Sequence, residues 1–446
     1  METPRIIKIR IMRALVLLFL RMRNSASQMK RGDSSLTLIF VFPFTEGNNL
    51  MKAAAVPILI RHTRWLFFVC SVTHVFIHVF TLMHTALIPV FMKEFNLSIF
   101  EAGLLVSIPQ VLSISVSLPY GVVTDRIDPR KLIALSLLIS GFSGLAVSQA
   151  GSFLTLLLPL SFIPLSSTIY HPPALTIVSE LFSEDRRSRA FGIHAAGGTT
   201  GVAIGPITLG LILERFGWRF SYLIWCIPVI LSTLLLFSLP SIKPAESGER
   251  ASEEDRGVME ENKDLSSKMI KRGFSLLLLA MGINSIGQQA LSAYMTTYLV
   301  SIRRLSESAA SMLYGLSPFV GILGSLIGGY LGDRLGSKRW ISSAYTGRIF
   351  VYAGIWLGPL WMLVPVYLTG GFFGGSTMGP LTSLVARFSP KRRRGLAYTI
   401  FMLFPSLMGS ISPLIAANLI EFYGVAGLFP FTILLTLISI LLFQKI

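Results

Sequence analysis

Residues 121–132, GVVTDRIDPRKL, and residues 329–340, GYLGDRLGSKRW, carry one pattern twice: a glycine, a three-residue gap, then Asp-Arg with basic residues close behind. Asp125 and Asp333 stand 208 residues apart. Two further pairs keep nearly that offset. SELFSEDRRSRAFG (179–192) resembles ARFSPKRRRGLAY (386–398), and Pro206 with LERFGW (213–218) pairs with Pro413 and IEFYGV (420–425), 207 residues on. A register held through three landmarks marks a duplicated chain, and two similar halves of a membrane protein leave a cleft between them where a substrate binds.

Composition sets the class. Of 446 residues, 52% are apolar and 14% charged, and the mean hydropathy is +0.67. The apolar residues gather into stretches of roughly 20, the length that crosses a hydrocarbon core of about 30 Å. Spans are expected near 66–91, 101–123, 131–149, 153–178, 190–213, 219–239, 273–300, 306–331, 340–360, 362–386, 396–420 and 423–443. They are expected to be helical, since backbone groups in lipid must be paired within each segment. The fold class is all-α: a polytopic membrane protein of twelve helices in two pseudo-symmetric six-helix bundles, residues 63–240 and 272–446. The polar, mixed-charge segment 241–271 reads as a cytoplasmic linker, and the basic segment 1–62 as a poorly ordered extension.

A formal charge of +17 raises the question of nucleic acid, but the basic residues mark topology instead. Arg126, Arg130 and Lys131, then Arg186, Arg187 and Arg189, then Arg334, Lys338 and Arg339, then Lys391 to Arg394 fall in loops on one side. The opposite loops hold chiefly Lys93, Arg215, Arg219, Arg303 and Arg304. The positive-inside bias makes the rich side cytoplasmic, with both termini there, in a multi-pass protein of the plasma membrane. No loop is long enough for a nucleic-acid-binding module.

Cys70 and Cys226 lie inside apolar runs and suggest neither a disulfide framework nor a metal site. No CxxC, HExxH, phosphate loop or GxSxG elbow occurs. An enzyme is therefore not expected, nor a cofactor or metal. Any pumping has to draw on an ion gradient or on the substrate's own gradient.

The repeated loop resembles the signature that follows the second helix in the major facilitator superfamily, and the likeness covers residues 62–446. Gly121, Asp125, Arg126 and Arg130 match it in the first copy, where Asp128-Pro129 replaces the usual Gly-Arg. Gly329, Asp333, Arg334, Gly336 and Lys338 match it in the second. The resemblance implies a gate: the aspartate faces a neighbouring helix N-terminus, where a carboxylate gains about 0.3–1 kcal/mol. Span five reads GGTTGVAIGPITLG, with Gly197, Gly201 and Gly205 on one face before Pro206. Small residues at that spacing let helices approach closely in lipid, and Gly321, Gly324 and Gly328 are the counterpart in span eight. The span-five run also resembles the glycine-proline signature of exporters in that superfamily. Within the superfamily, STIYHPPAL (167–175) and SVTHVFIHVFTLMHTALIPVF (71–91) resemble fosmidomycin-resistance-type transporters, although His78 stands where that group tends to carry an acid.

All six histidines lie in the first half, and no Asp or Glu falls in mid-span. Ionisable groups in lipid are costly, so they usually face an interior cavity. Helical register places His74, His78, Thr81 and Thr85 on one face, and counting depth brings His74, His171 and His194 to one level. Gln110, Tyr170, Asn284, Gln288 and Gln289 are expected to complete a polar lining, while Arg348 is expected to snorkel to the cytoplasmic surface. These readings give a monomeric secondary transporter that moves a small polar or amphiphilic solute by alternating access, with histidine-coupled proton antiport and efflux. Uptake, facilitated diffusion, or a non-transporting sensor of the same fold stay open.

Overall fold

The computed structural model describes residues 56–124, 127–182, 184–237, 265–388 and 394–446. Residues 1–55 of the expected extension, Asp125, Arg126 and most of the linker lie outside the described residues. The regular elements are all helices: α1 (Val56–His78), α2 (Met83–Ala86), α3 (Ile88–Glu94), α4 (Ile99–Thr124), α5 (Pro129–Ser148), α6 (Phe153–Leu181), α7 (Glu184–Leu236), α8 (Leu265–Ser301), α9 (Glu307–Leu335), α10 (Ser337–Leu357), α11 (Leu360–Gly375), α12 (Met378–Phe388), α13 (Arg394–Ser410), α14 (Ser412–Tyr423) and α15 (Leu428–Gln444). Among the described residues, nine stretches are long and apolar enough to cross a membrane. One of them, Ala190–Leu236, breaks at Gly217 and covers two of the spans expected from sequence. Expected spans nine and ten correspond to α10, which is long enough but too polar to be among the nine, and to the broken pair α11 and α12, which are too short. Large apolar side chains such as Leu154, Leu211, Phe237, Leu326, Phe350, Trp361 and Phe422 point outward, as lipid allows and water would not.

The duplication is visible in the backbone. Gly217 has φ 76° and Gly424, 207 residues on, has φ 70°, so each copy turns its chain with a left-handed residue that only glycine adopts without strain. The copies diverge at the Asp-Arg loop. Gly336 turns with φ 89°, whereas its counterpart Asp128 has φ −52° and caps α5. The Asp128 carboxylate accepts the Arg130 backbone N–H at 3.0 Å and pairs with the Arg130 guanidinium at 2.6 Å. The Asp128-Pro129 substitution thus exchanges a glycine turn for an N-cap followed by a proline, a pairing suited to a helix start.

Contacts between the first and second halves gather at one end, which is the outer end in the sequence-based topology. Tyr294 on α8 donates to the Ile99 carbonyl at 2.9 Å, and Thr296 donates to the Thr85 carbonyl at 3.0 Å. On α9, a Cβ at Gly315 would stand 2.8 Å from the Ala203 carbonyl oxygen, and one at Gly210 would stand 2.5 Å from that of Ser308. Glycines on both helices let α7 and α9 cross backbone to backbone.

At the same end, Glu94 closes the first half. Its carboxylate accepts from Trp218 Nε1 and from the Arg219 guanidinium, both at 2.5 Å, and Arg219 also donates to the Ala150 carbonyl at 2.7 Å. One acid therefore ties the end of α3 to the turn after Gly217 and to the α5–α6 turn. The pair is partly exposed, which tempers its worth: Glu94→Ala is expected to cost about 1–2 kcal/mol. Thermal unfolding of Glu94→Ala, Arg219→Ala and the double variant checks this, and fully additive losses would mean that the pair contributes nothing by itself.

Candidate functional site

Helix α1 loses its regular bonding just past His78. Thr81 N–H bonds the His78 carbonyl at 3.0 Å and Met83 N–H bonds that of Phe80 at 3.2 Å, both three residues back. The break frees the His78 ring to meet Thr81 Oγ1 at 3.1 Å. Thr85 consequently leaves the histidine face: its hydroxyl meets His84, and its carbonyl serves Thr296. Irregular backbone inside a membrane span is tolerated where protein or a cavity surrounds it.

Helix α7 comes against α1 because it lacks side chains where the two touch. A Cβ at Gly197 would lie 3.0 Å from the Ser71 carbonyl oxygen, and those at Gly201 and Gly205 would collide with the carbonyls of Val75 and Val79. Pro206 follows, buried within α7. Gly198 faces the His74 ring, where a Cβ would stand 2.8 Å from Nε2. This close approach sets His194 flat on His74, with ring centroids 4.0 Å apart and planes 10° from parallel.

Four histidines from three helices therefore meet. His74 Nε2 lies 3.3 Å from His171 Nε2, and His78 Nε2 lies 3.2 Å from the same atom. The outer nitrogens have other partners: His74 Nδ1 meets the His194 carbonyl at 2.7 Å, and His171 Nδ1 meets the Ser167 carbonyl at 2.6 Å. A carbonyl accepts only, so both Nδ1 atoms carry hydrogen, and in the neutral rings both Nε2 atoms present lone pairs. Tyr170 stacks on His74 at 5.4 Å and donates to the Cys70 carbonyl at 2.8 Å, with Thr73 Oγ1 2.9 Å away. His74 and His194 are buried, while His78, Thr81 and His171 are partly open. Neither ring nitrogen of His194 has a hydrogen-bond partner among the described residues.

The three Nε2 atoms of His74, His78 and His171 lie within 4.8 Å of one another, close enough to share one small cation, whether a proton or a metal ion. No acid or thiolate belongs to the group. Gln110, half-buried on α4, shares no hydrogen bond with it.

The expected lining from the second half forms a separate group. The amides of Asn284 and Gln288 lie 3.0 Å apart, and Gln288, with its carbonyl turned to the guanidinium, accepts from Arg348 Nη1 at 3.1 Å and also from Nη2. Gln289 is exposed. Sequence reading sent Arg348 to the surface; instead it is 3% exposed, because α10 turns it inward between Tyr345 and Tyr352. Its guanidinium lies 5.6 Å and 5.4 Å from those two ring centroids and donates to the Tyr352 hydroxyl.

At the other end of the molecule, Asp333 and Arg334 are exposed and form no ion pair among the described residues, and no atom stands within 4 Å of a Cβ built at Gly329. Lys338 donates to the Gln444 carbonyl at 2.9 Å, a cation at the C-terminus of α15. Of the first copy, Gly121 lies in α4 and Arg130 pairs with Asp128. Gly324 and Gly328 take α9 against α11 and the turn before α12, where a Cβ on either would collide with the carbonyls of Phe372 and Ser376.

The chain is 25% identical to the fosmidomycin resistance protein of Escherichia coli (strain K12) over 310 residues, 68% of this chain and 75% of that one. It is 22% identical to the cis,cis-muconate transport protein of Acinetobacter baylyi over 310 residues, again 68% and 75%. Among solved structures, a bacterial homologue of the human lysosomal transporter Spinster, inward-facing and unoccupied, shares the fold with a TM-score of 0.67 at 17% identity, over 87% of this chain and 97% of that one. The model of the Major Facilitator Superfamily matches residues 69–359 and 277–445. With a duplicated helical chain and a family model that matches both halves, the protein belongs to the Major Facilitator Superfamily.

Proposed function

We propose that this secondary transporter exports a small polar or amphiphilic solute in exchange for protons, with the imidazoles of His74, His78 and His171 carrying the proton. The observation behind this reading is the contact between His74 Nε2 and His171 Nε2 at 3.3 Å. With both Nδ1 atoms committed to carbonyls, two lone pairs face each other there, and one added proton turns that repulsion into an N–H···N hydrogen bond. His171 Nε2 has one lone pair and accepts from one neighbour at a time, and His78 can be the alternative donor through its own Nε2–H, because Thr81 satisfies its other nitrogen. Tyr170 from α6 and His194 from α7 also face the group, and no carboxylate among the described residues does. The proton therefore belongs to imidazoles, the side chains that exchange one near neutral pH.

Alternating access supplies the rest of the reading. The bundles at 63–240 and 272–446 rock about the cleft of a monomer whose termini are cytoplasmic in the plasma membrane. Contacts at the outer end and the unpaired Asp333 at the other suit an inward-open state, in which the Asp-Arg gate is released. Export is favoured by the glycine run ahead of Pro206 and by the resistance named for the Escherichia coli relative; the Acinetobacter relative, named for muconate transport, keeps uptake as the second reading.

Purified protein in pyranine-loaded proteoliposomes, given fosmidomycin or cis,cis-muconate as the solute, is expected to move protons as solute moves. An imposed pH gradient should in turn drive solute accumulation. Solute flux at one rate with and without the gradient would leave a carrier but remove the proton coupling.

A further inference from the structure

We infer that Arg348 is an anion-binding residue: the second half of the transporter recognises the carboxylate of a small organic acid at the guanidinium held by Gln288, Tyr345 and Tyr352. The inference rests on the transporter reading and adds the charge class of the solute. A guanidinium stays ionised, and a buried cation without an opposite charge is expensive unless something else neutralises it. Among the described residues no carboxylate lies within salt-bridge distance of Arg348, and the sequence has no acid in mid-span to supply one. Both Tyr rings lie within cation–π range of the guanidinium and help to stabilise the buried cation. Of the five N–H donors, Gln288 takes one from each terminal nitrogen and the Tyr352 hydroxyl takes another, so two have no partner. The two terminal nitrogens that Gln288 bridges form a planar fork that matches a planar carboxylate.

The position also fits a ligand rather than a strut. Gln288, the one neutral amide on the guanidinium, is half-buried on α8, while Asn284 one turn earlier is buried. An arriving carboxylate displaces the Gln288 carbonyl from Arg348 and gives the buried cation its counter-charge. The histidines lie entirely in the first half, so a proton and an anion would each be held by its own half.

The test is a thermal-stability screen of the purified full chain in nanodiscs against benzoate, fumarate and cis,cis-muconate, each beside its uncharged amide. Carboxylates are expected to raise the unfolding midpoint of the wild type while the amides do not, and Arg348→Gln is expected to weaken the apparent affinity by at least about tenfold. Tyr298→Phe guards against misfolding: it loses another tie between α8 and α10, to the Ile355 carbonyl, but should still bind the carboxylates. Equal shifts with acids and amides, or no shift with any acid, overturn the inference. So does equal destabilisation of Arg348→Gln and Tyr298→Phe with acid binding kept in both. Solute flux that survives Arg348→Gln would sink the anion site while leaving the transporter reading standing, and acid binding without any flux would do the reverse.

Discussion

Gly201→Val and Gly205→Val are expected to yield almost no monodisperse protein. Each side chain would have to occupy space already held by a main-chain carbonyl, that of Val75 in α1 or that of Val79 just past its end. Overpacking against a side chain costs about 1–3 kcal/mol because the neighbour can turn away, whereas a main-chain carbonyl moves only with its backbone, so the loss here should exceed about 3 kcal/mol. Relief comes only by moving α7 off α1, which also unstacks His194 from His74, since 4.0 Å is the separation the glycines permit. Gly192, earlier in the same helix, is the control: no atom stands within 4 Å of a Cβ built there. Gly192→Ala should hold the melting temperature or raise it, since alanine favours helix over glycine by roughly 0.8–1 kcal/mol. Size-exclusion profiles and unfolding midpoints of the three variants decide the matter; a Gly201→Val protein with the wild-type midpoint would show that the helices are not held at backbone contact.

Much of this arrangement was legible because it repeats or because it is chemically expensive. The pairing of Gly217 with Gly424 came from register alone, and both turn at positive φ. The convergence of His74, His171 and His194 followed from depth counting, as the price of a titratable group in lipid leaves few places for it. What escaped was what depends on breaks and on partners. A continuous α1 would have kept Thr85 beside His78, but the three-back bonding after His78 rotates the chain, a local change that hydrophobic periodicity does not record. Asn284 and Gln288 were expected to share a polar lining with the histidines; instead Gln288 meets Arg348, with Asn284 beside it, because amides carry no mark of which charge they will serve. Arg348 itself had a readable signal. Tyr345 and Tyr352 stand three before and four after it, so both rings sit on its helical face, a spacing that suits an enclosed cation better than one reaching for the surface. Glu94 was overlooked because its partners, Trp218 and Arg219, are 124 and 125 residues away and follow a turn that only the fold brings near.

His171→Gln is expected to disconnect transport from the proton gradient while leaving the carrier able to exchange. His171 Nε2 is the atom that both other histidines reach, at 3.3 Å from His74 and 3.2 Å from His78, so its removal ends both shared-proton contacts at once. A hydrogen bond to a charged group is worth about 1.5–3 kcal/mol, so proton affinity of the group should fall roughly ten- to a hundredfold. Gradient-driven accumulation should fall by a similar factor, whereas solute-for-solute exchange across liposomes at equal pH, which needs no proton to return, should proceed near the wild-type rate. That split separates coupling from folding, since a misfolded carrier loses both. His84→Gln provides the contrast: His84 is buried after the α1 break, and its one side-chain bond is to Thr85 at 3.3 Å. It should keep gradient-driven accumulation. If His171→Gln still accumulates solute against its gradient at the wild-type rate, the proton travels by another route and the imidazoles only pack.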